Sequence, residues 1–177
     1  SKGMEDMVGP LGFTDMDPEG MLTWGFDQLG TMPTIYNYPY YPEHIKAIGG
    51  FEIDNKYVEN KLMVPEAVPE KYAKIAAMIQ KRYNLHVVKL TKKMVFDEGY
   101  GQKIFDLINA TYSHLYGYSQ LTQKQINQYI KMYLGMLDLE FVTLIEDWSG
   151  DERKLVGAGI SMPSLSIALQ KLSLIHI

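Results

Sequence analysis

The segment Tyr36-Asn37-Tyr38-Pro39-Tyr40-Tyr41-Pro42-Glu43-His44 places four tyrosines and two prolines within nine residues. Each proline fixes its own φ and pushes the preceding residue toward an extended geometry, so the rings are held in preset directions at little entropic cost. The segment therefore predicts a rigid aromatic turn that opens onto a short helix. Such a turn suits the wall of a ligand cleft, and it equally suits a cap over the edge of a hydrophobic core.

The composition indicates an ordinary globular protein. Of 177 residues, 46% are hydrophobic and 21% are charged, which is enough to bury a core. The formal net charge is −4 and the lysines and acids are interspersed, so we expect no nucleic-acid partner. The absence of cysteine excludes disulfides and thiolate chemistry and suits a reducing cytoplasm. No apolar run approaches the ~20 residues of a membrane span, so we also expect no membrane partner.

Both ends of the sequence predict an internal fragment of a longer protein. A short apolar strand is expected at 8–13, almost at the start, with no earlier element for it to pair with. The last six residues, 172–177, lack a cap or turn chemistry and are expected to be a non-native tail.

The first third of the chain contains turn signals and one alternating pattern. Residues 9–34 are rich in glycine, proline and acids, and predict a long packed loop. The run Asp15-Met16-Asp17-Pro18-Glu19-Gly20 begins like a calcium loop, but its twelfth position is Phe26, where a glutamate is required, so turn formation explains the acids better. The histidines show no ligand spacing, and we expect no metal. Alternation across 51–64 predicts two strands about a turn.

The remainder of the chain mixes helical and strand patterns. In order, the patterns predict a helix from Pro69 to near Asn84, a strand at 86–90, a helix at 104–116 closed by Gly117, a helix at 126–137 with a Thr122 and Gln125 capping box, strands at 139–146 and 154–160, and a helix from near Ser164. The fold class expected is mixed α/β or α+β, with a largely antiparallel central sheet flanked by helices.

Several motifs point to one family. The motifs are Gly9-Pro10-Leu11-Gly12-Phe13, Asp17-Pro18-Glu19-Gly20-Met21-Leu22, Gly25-Phe26-Asp27, the aromatic turn, Gly50-Phe51, Phe105-Asp106-Leu107-Ile108-Asn109 and the hairpin leading into 156–164. Together they resemble the GNAT N-acetyltransferase superfamily, specifically bacterial proteins with two such domains in tandem. Residues 1–85 resemble the closing half of a first domain, and residues 86–171 resemble the opening half of a second, whose first helices and second and third strands they match. The resemblance therefore implies two partial copies of a GNAT-like fold.

The resemblance also implies a function and a site. It implies transfer of an acetyl or other acyl group from acyl-CoA to a small-molecule amine, without a metal, by a protein that would be inactive as this fragment alone. Asn37 lies where the family often contacts the CoA arm, and Tyr40 and Tyr41 are expected to reach the same cleft. Tyr36 and Tyr38 are the expected substrate-binding residues.

Two departures from the family pattern leave an alternative open. The pyrophosphate-binding loop has no match in this sequence. The family's usual acid, a tyrosine four residues before a Gly-Phe pair, corresponds to Ile45 or Lys46, and neither is a tyrosine. The alternative function is a non-catalytic GNAT-like module that binds a ligand or serves a structural role.

Overall fold

The protein is described by a computed structural model that covers residues 2–14 and 16–172. It is a mixed α+β protein with a three-stranded antiparallel sheet, so the expected fold class is confirmed at this level. The chain divides into two compact units. The first unit contains residues up to Val58, Gly117–Ser119 and residues from Pro163 onward, and the second unit contains Glu59–Tyr116 and Gln120–Met162.

The described elements follow a simple order along the chain. They are α1 (Tyr40–Ile48), α2 (Glu70–Tyr83), β1 (Leu85–Lys89), α3 (Lys92–Phe96), α4 (Tyr100–Tyr112), α5 (Gln123–Tyr129), a π-helical turn (Ile130–Leu134), a 3-10 turn (Leu139–Phe141), β2 (Val142–Asp147), β3 (Lys154–Ile160) and α6 (Ser166–Lys171).

The sheet of the second unit has β2 as its central strand. β1 pairs with β2 so that Val88 faces Leu144, and β3 pairs with β2 so that Ala158 faces Leu144 from the other side; both pairings are antiparallel. Along β2, every second residue from Val142 to Glu146 is buried, as expected for a strand with one face against the core. The hairpin formed by β2 and β3 was predicted, with strands expected at 139–146 and 154–160.

The hydrophobic core of the second unit brings this sheet together with α4 and α5. Val142 and Leu144 are completely buried, and Ile104 of α4 and Ile126 of α5 pack into the same cluster. Burial of an apolar side chain of this size stabilises the fold by about 1.5–3 kcal/mol. The helical spacing of the apolar residues had predicted the two helices and their apolar faces.

The predicted end signals of two helices are confirmed. Thr122 accepts a hydrogen bond from the backbone N–H of Gln125, and the Gln125 side chain accepts from the backbone N–H of Thr122, which completes the predicted capping box. Pro69 precedes the first residue of α2, and Asn84 ends that helix in the left-handed conformation with φ of 49°.

The predicted strands at 8–13 and 51–64 are wrong. No strand is present in either segment, and the side chains of residues 51–64 are exposed. Alternation predicts a strand only where a second strand supplies hydrogen bonds and a core covers the apolar side. In 8–13, Pro10 has no N–H to donate, and its carbonyl accepts from the N–H of Gly20 instead, which closes a loop.

Several predicted boundaries also shift. α4 ends at Tyr112 rather than at Tyr116, and Gly117 adopts φ of +73° in a separate turn. The 126–137 pattern divides into α5 and the π-helical turn, and the first residues of the 139–146 pattern form the 3-10 turn. Apolar spacing fixes which face of a helix is buried, but it does not fix the residue at which the helix ends.

The predicted loop at 9–34 is present in the described residues as a segment without helix or strand. Asp17 accepts hydrogen bonds from the backbone N–H groups of Phe13 and Thr14, at 3.0 and 2.9 Å, so this acid forms a turn as expected. Most of the expected non-native tail, residues 173–177, lies outside the described residues.

Candidate functional site

The aromatic turn forms an exposed ladder of three tyrosine rings, Tyr38, Tyr40 and Tyr41, which we call the tyrosine ladder. The rings of Tyr38 and Tyr40 are stacked with centroids 5.9 Å apart, and those of Tyr40 and Tyr41 with centroids 4.7 Å apart. Tyr36 meets Tyr38 edge-on at 6.2 Å. The structure therefore brings all four predicted tyrosines into one aromatic surface, and the ladder rings are each nearly half exposed, at 45–49%.

The start of α1 explains why the rings stack. Pro39 is the N-cap residue, with φ of −56°, so Tyr40 and Tyr41 occupy the first turn of the helix. The backbone N–H of Tyr41 donates to the carbonyl of Tyr38, which holds the turn before the helix. The ring of His44, one turn later, lies 5.2 Å from the ring of Tyr40. The ladder is thus built by local geometry.

Asn37 lies beside the ladder, but its side chain bonds to the backbone. Its Oδ1 accepts from the N–H of Leu22 at 2.7 Å, and its Nδ2 donates to the carbonyls of Leu22 and Tyr38. This amide therefore ties the 9–34 loop to the aromatic turn. The bond from Nδ2 to the Tyr38 carbonyl also holds the backbone of that ladder residue.

The ladder hydroxyls influence one another. The side-chain hydrogen bond between Tyr40 and Tyr41 raises the pKa of Tyr40 above its ordinary value of 10.0, and the nearby Tyr41 and Tyr38 groups add to the effect. The Tyr40 hydroxyl is consequently neutral at neutral pH, so Tyr40 offers a π-face and a neutral hydroxyl to a ligand.

A second polar cluster, which the sequence reasoning missed, lies in the second unit. We call Glu146, Tyr100 and Trp148 the Glu146 cluster. Glu146 is only 1% exposed, and its Oε1 accepts a short hydrogen bond from the hydroxyl of Tyr100. Its Oε2 accepts from Nε1 of Trp148 at 2.9 Å. Both oxygens of a buried carboxylate are therefore satisfied by aromatic donors.

The protonation of this cluster follows from those contacts. Burial raises the pKa of Glu146, but the hydrogen bonds from Tyr100 and Trp148, with the positive charges of Arg153 and Lys103, outweigh it and hold the pKa below its ordinary value. The hydrogen bond to Glu146 is also the largest reason that the pKa of Tyr100 is raised to about 12. The cluster therefore carries one buried negative charge at neutral pH.

Trp148 is held both by its ring and by its backbone. The ring of His86 stacks on it with centroids 3.8 Å apart, and Asn84 donates from Nδ2 to the Trp148 carbonyl at 2.7 Å. Asn84 also accepts the backbone N–H of Trp148 at its own carbonyl. The sequence does contain a pattern that indicates this cluster. Glu146 follows Val142 and Leu144 at two-residue spacing, so the acid lies on the buried face of β2.

An open groove of about 820 Å³ lies in the second unit, lined by Lys89–Lys92 and Gly135–Glu140. Its lining mixes two lysines with two acids. Lys89 donates from Nζ to the carbonyl of Glu140 at 3.4 Å. Because charges of both signs line the groove, its lining does not favour a cationic or an anionic ligand.

Residues 2–14 and 16–172 contain neither a candidate metal cluster nor a membrane-spanning helix. Within that part of the chain, no cluster of three or more histidine, aspartate or glutamate side chains is suited to hold a metal ion. No helix there combines the length and the apolar character that crossing a bilayer requires. Comparison with known protein families, curated proteins and solved structures gives no match.

Proposed function

We propose that this chain is part of an acyl-CoA-dependent N-acyltransferase-like protein that transfers an acetyl group to a small-molecule amine in the cytoplasm. One observation carries the proposal. The elements from β1 to β3 follow the order strand, helices, hairpin, and β1 pairs antiparallel with the first strand of that hairpin. The GNAT resemblance implies this order for the opening half of a domain.

The tyrosine ladder supplies the proposed binding surface. Tyr40 and Tyr41 are proposed to contact acetyl-CoA, because stacked and exposed π-faces bind planar groups. Tyr36 and Tyr38 are proposed to contact the amine substrate. Asn37 acts by holding Tyr38, since its amide is already bonded to Leu22 and Tyr38.

A second candidate function is supported by a separate observation. The position expected for the catalytic acid is Ile45 or Lys46, both within α1, and neither offers a phenol. The ladder can bind a ligand without that acid. The alternative is therefore a ligand-binding GNAT-like module that carries out no acyl transfer.

Calorimetric titration of acetyl-CoA into the chain tests the binding surface. We expect saturable binding that Tyr40→Ala weakens about tenfold, the loss expected for one stacked ring. Tyr57→Ala is the matched control, because Tyr57 is an exposed tyrosine of the same unit at 69% exposure and lies outside the ladder. Equal affinities in the two variants, or no binding at millimolar acetyl-CoA, would contradict the proposal.

Release of free CoA then separates the enzyme from the module. The chain has no cysteine, so a thiol reagent reports CoA thiol without background from the protein. A panel of primary amines that drives CoA release would support acyl transfer. Because the resemblance implies that this fragment alone is inactive, the same assay is made on the intact parent protein. Acetyl-CoA binding without release for any amine in both would support the binding module.

A further inference from the structure

We propose that the Glu146 cluster is a binding site for an alkylammonium group, with the ring faces of Tyr100 and Trp148 as its cation contacts and the buried carboxylate of Glu146 as its source of negative charge. This inference does not depend on the acyltransferase proposal, because it rests on residues of the second unit alone.

The two rings are prepared for a cation by their shared hydrogen-bond acceptor. Tyr100 and Trp148 both donate to the carboxylate of Glu146, which increases the electron density of each ring. An electron-rich ring face attracts a cation more strongly. The carboxylate is 1% exposed and forms no ion pair among the described residues, so its field is weakly screened by water.

Cations of the chain itself already lie over both rings. The guanidinium carbon of Arg153 is 4.1 Å from the centre of the Trp148 ring, and Nζ of Lys103 is 4.5 Å from the centre of the Tyr100 ring. Both side chains are exposed, and neither forms a salt bridge in the described part of the chain. They occupy the positions that a ligand cation would take.

This arrangement makes the two cations competitors of the ligand. An exposed Arg or Lys over a ring is held weakly because it keeps most of its water, and a fitting alkylammonium ion that loses its water on binding is attracted more strongly. His86, stacked on the Trp148 ring, holds the indole in place whether or not Arg153 is present. Displacement therefore begins with movement of two exposed side chains, Arg153 and Lys103.

Fluorescence titration with tetramethylammonium chloride tests the site. Trp148 becomes the only tryptophan in a Trp24→Phe background, since the chain has two. We expect Arg153→Ala and Lys103→Ala each to tighten binding about threefold or more, because each removes a competitor. Lys92→Ala removes the same charge from an exposed residue outside the cluster, and we expect it to leave the affinity unchanged.

Two more measurements complete the test at constant ionic strength. Glu146→Gln keeps a hydrogen-bond acceptor but removes the charge, and we expect at least tenfold weaker binding. Tert-butanol, of similar size and uncharged, is expected not to bind. Equal effects of Arg153→Ala and Lys92→Ala, or equal binding of tert-butanol, would overturn the proposal and leave the cluster as a structural hydrogen-bond network.

Discussion

The second unit is built around buried apolar side chains, whereas the first is held by hydrogen bonds close to the surface. Val142, Leu144 and Ile104 are at most 1% exposed in the second unit. In the described residues of the first unit, the buried side chains are two hydroxyls, Thr14 and Ser166. The comparison teaches that a sequence motif and a hydrophobic core are separate sources of order. The most distinctive sequence lies in the unit with less buried apolar surface.

The largest effect is expected for Leu144→Ala in the second unit. Leu144 is fully buried at the centre of the sheet, so its truncation should cost about 2–5 kcal/mol of unfolding free energy. Urea denaturation followed by circular dichroism measures the loss. Val87→Ala on β1, where the side chain is 52% exposed, is the control and should cost about 0.5 kcal/mol or less. Similar losses for both would break the comparison.

The next effect concerns the polar part of the same unit. Tyr100→Phe leaves one oxygen of buried Glu146 without its donor, which should cost about 1–3 kcal/mol at neutral pH. The pKa of Tyr100 is raised to about 12, so its stabilisation is complete below the ordinary value of 10.0 and is lost as the pH rises through 12. The difference in unfolding free energy between the wild type and Tyr100→Phe should therefore shrink between pH 10 and 12.

Denaturation at several pH values between 9 and 11.5 measures that trend. The difference between the two proteins isolates Tyr100, because every other ionisable group is the same in both. A difference that stays constant over this range would show that the Tyr100 hydroxyl ionises at the same pH in the folded and unfolded states.

Gly12→Ala tests the first unit, where close backbone approach replaces a core. A Cβ at Gly12 would lie 2.2 Å from the Cβ of Asp17, so the turn must open, at a cost of about 1–3 kcal/mol. Amide exchange at Phe13 and Thr14, whose N–H groups donate to Asp17, should become faster. Gly30→Ala has no atom within 4 Å to meet and should leave both rates unchanged. Unchanged rates in Gly12→Ala would argue against the Asp17 turn.

The smallest effect is expected for Asn37→Ala. It removes the side chain that bonds to both backbone groups of Leu22, at a net cost of about 1 kcal/mol. Exchange of the Leu22 amide should accelerate. Asn55→Ala removes an exposed side chain bonded only to the N–H of its neighbour Lys56, and should not affect Leu22. If both variants leave the Leu22 amide equally protected, Asn37 does not hold the loop.

The sequence predicted local features well. The capping box at Thr122, the start of α2 after Pro69 and the β2–β3 hairpin each depend on residues a few positions apart, so the determining contacts were visible in the sequence. The aromatic turn was predicted for the same reason. Which of its rings would stack depended on the start of α1 at Tyr40, which proline spacing alone did not fix.

The features that were missed depend on distant partners. Tyr100 and Glu146 are 46 positions apart, and Leu22 and Asn37 are 15 positions apart. Sequence periodicity indicates that Glu146 points inward, but it does not identify the donor that meets it. The failure at 51–64 has the converse cause, because its alternation was clear and no strand pairs with it.

The bulge between β2 and β3 has a consequence for insertions and deletions. Ile145 faces Gly157 while Glu146 faces Leu155, so Val156 is the extra residue in β3. This extra residue places Leu155, rather than Val156, on the buried side with Glu146. Deletion of Val156 would restore a regular hydrogen-bond ladder, and all the remaining side chains of β3 would stay on their present faces. The strand can therefore lose Val156 without disturbing the alternation of buried and exposed side chains. Loss of a residue between Ala158 and Ile160 would instead move each residue beyond it to the opposite face of the sheet.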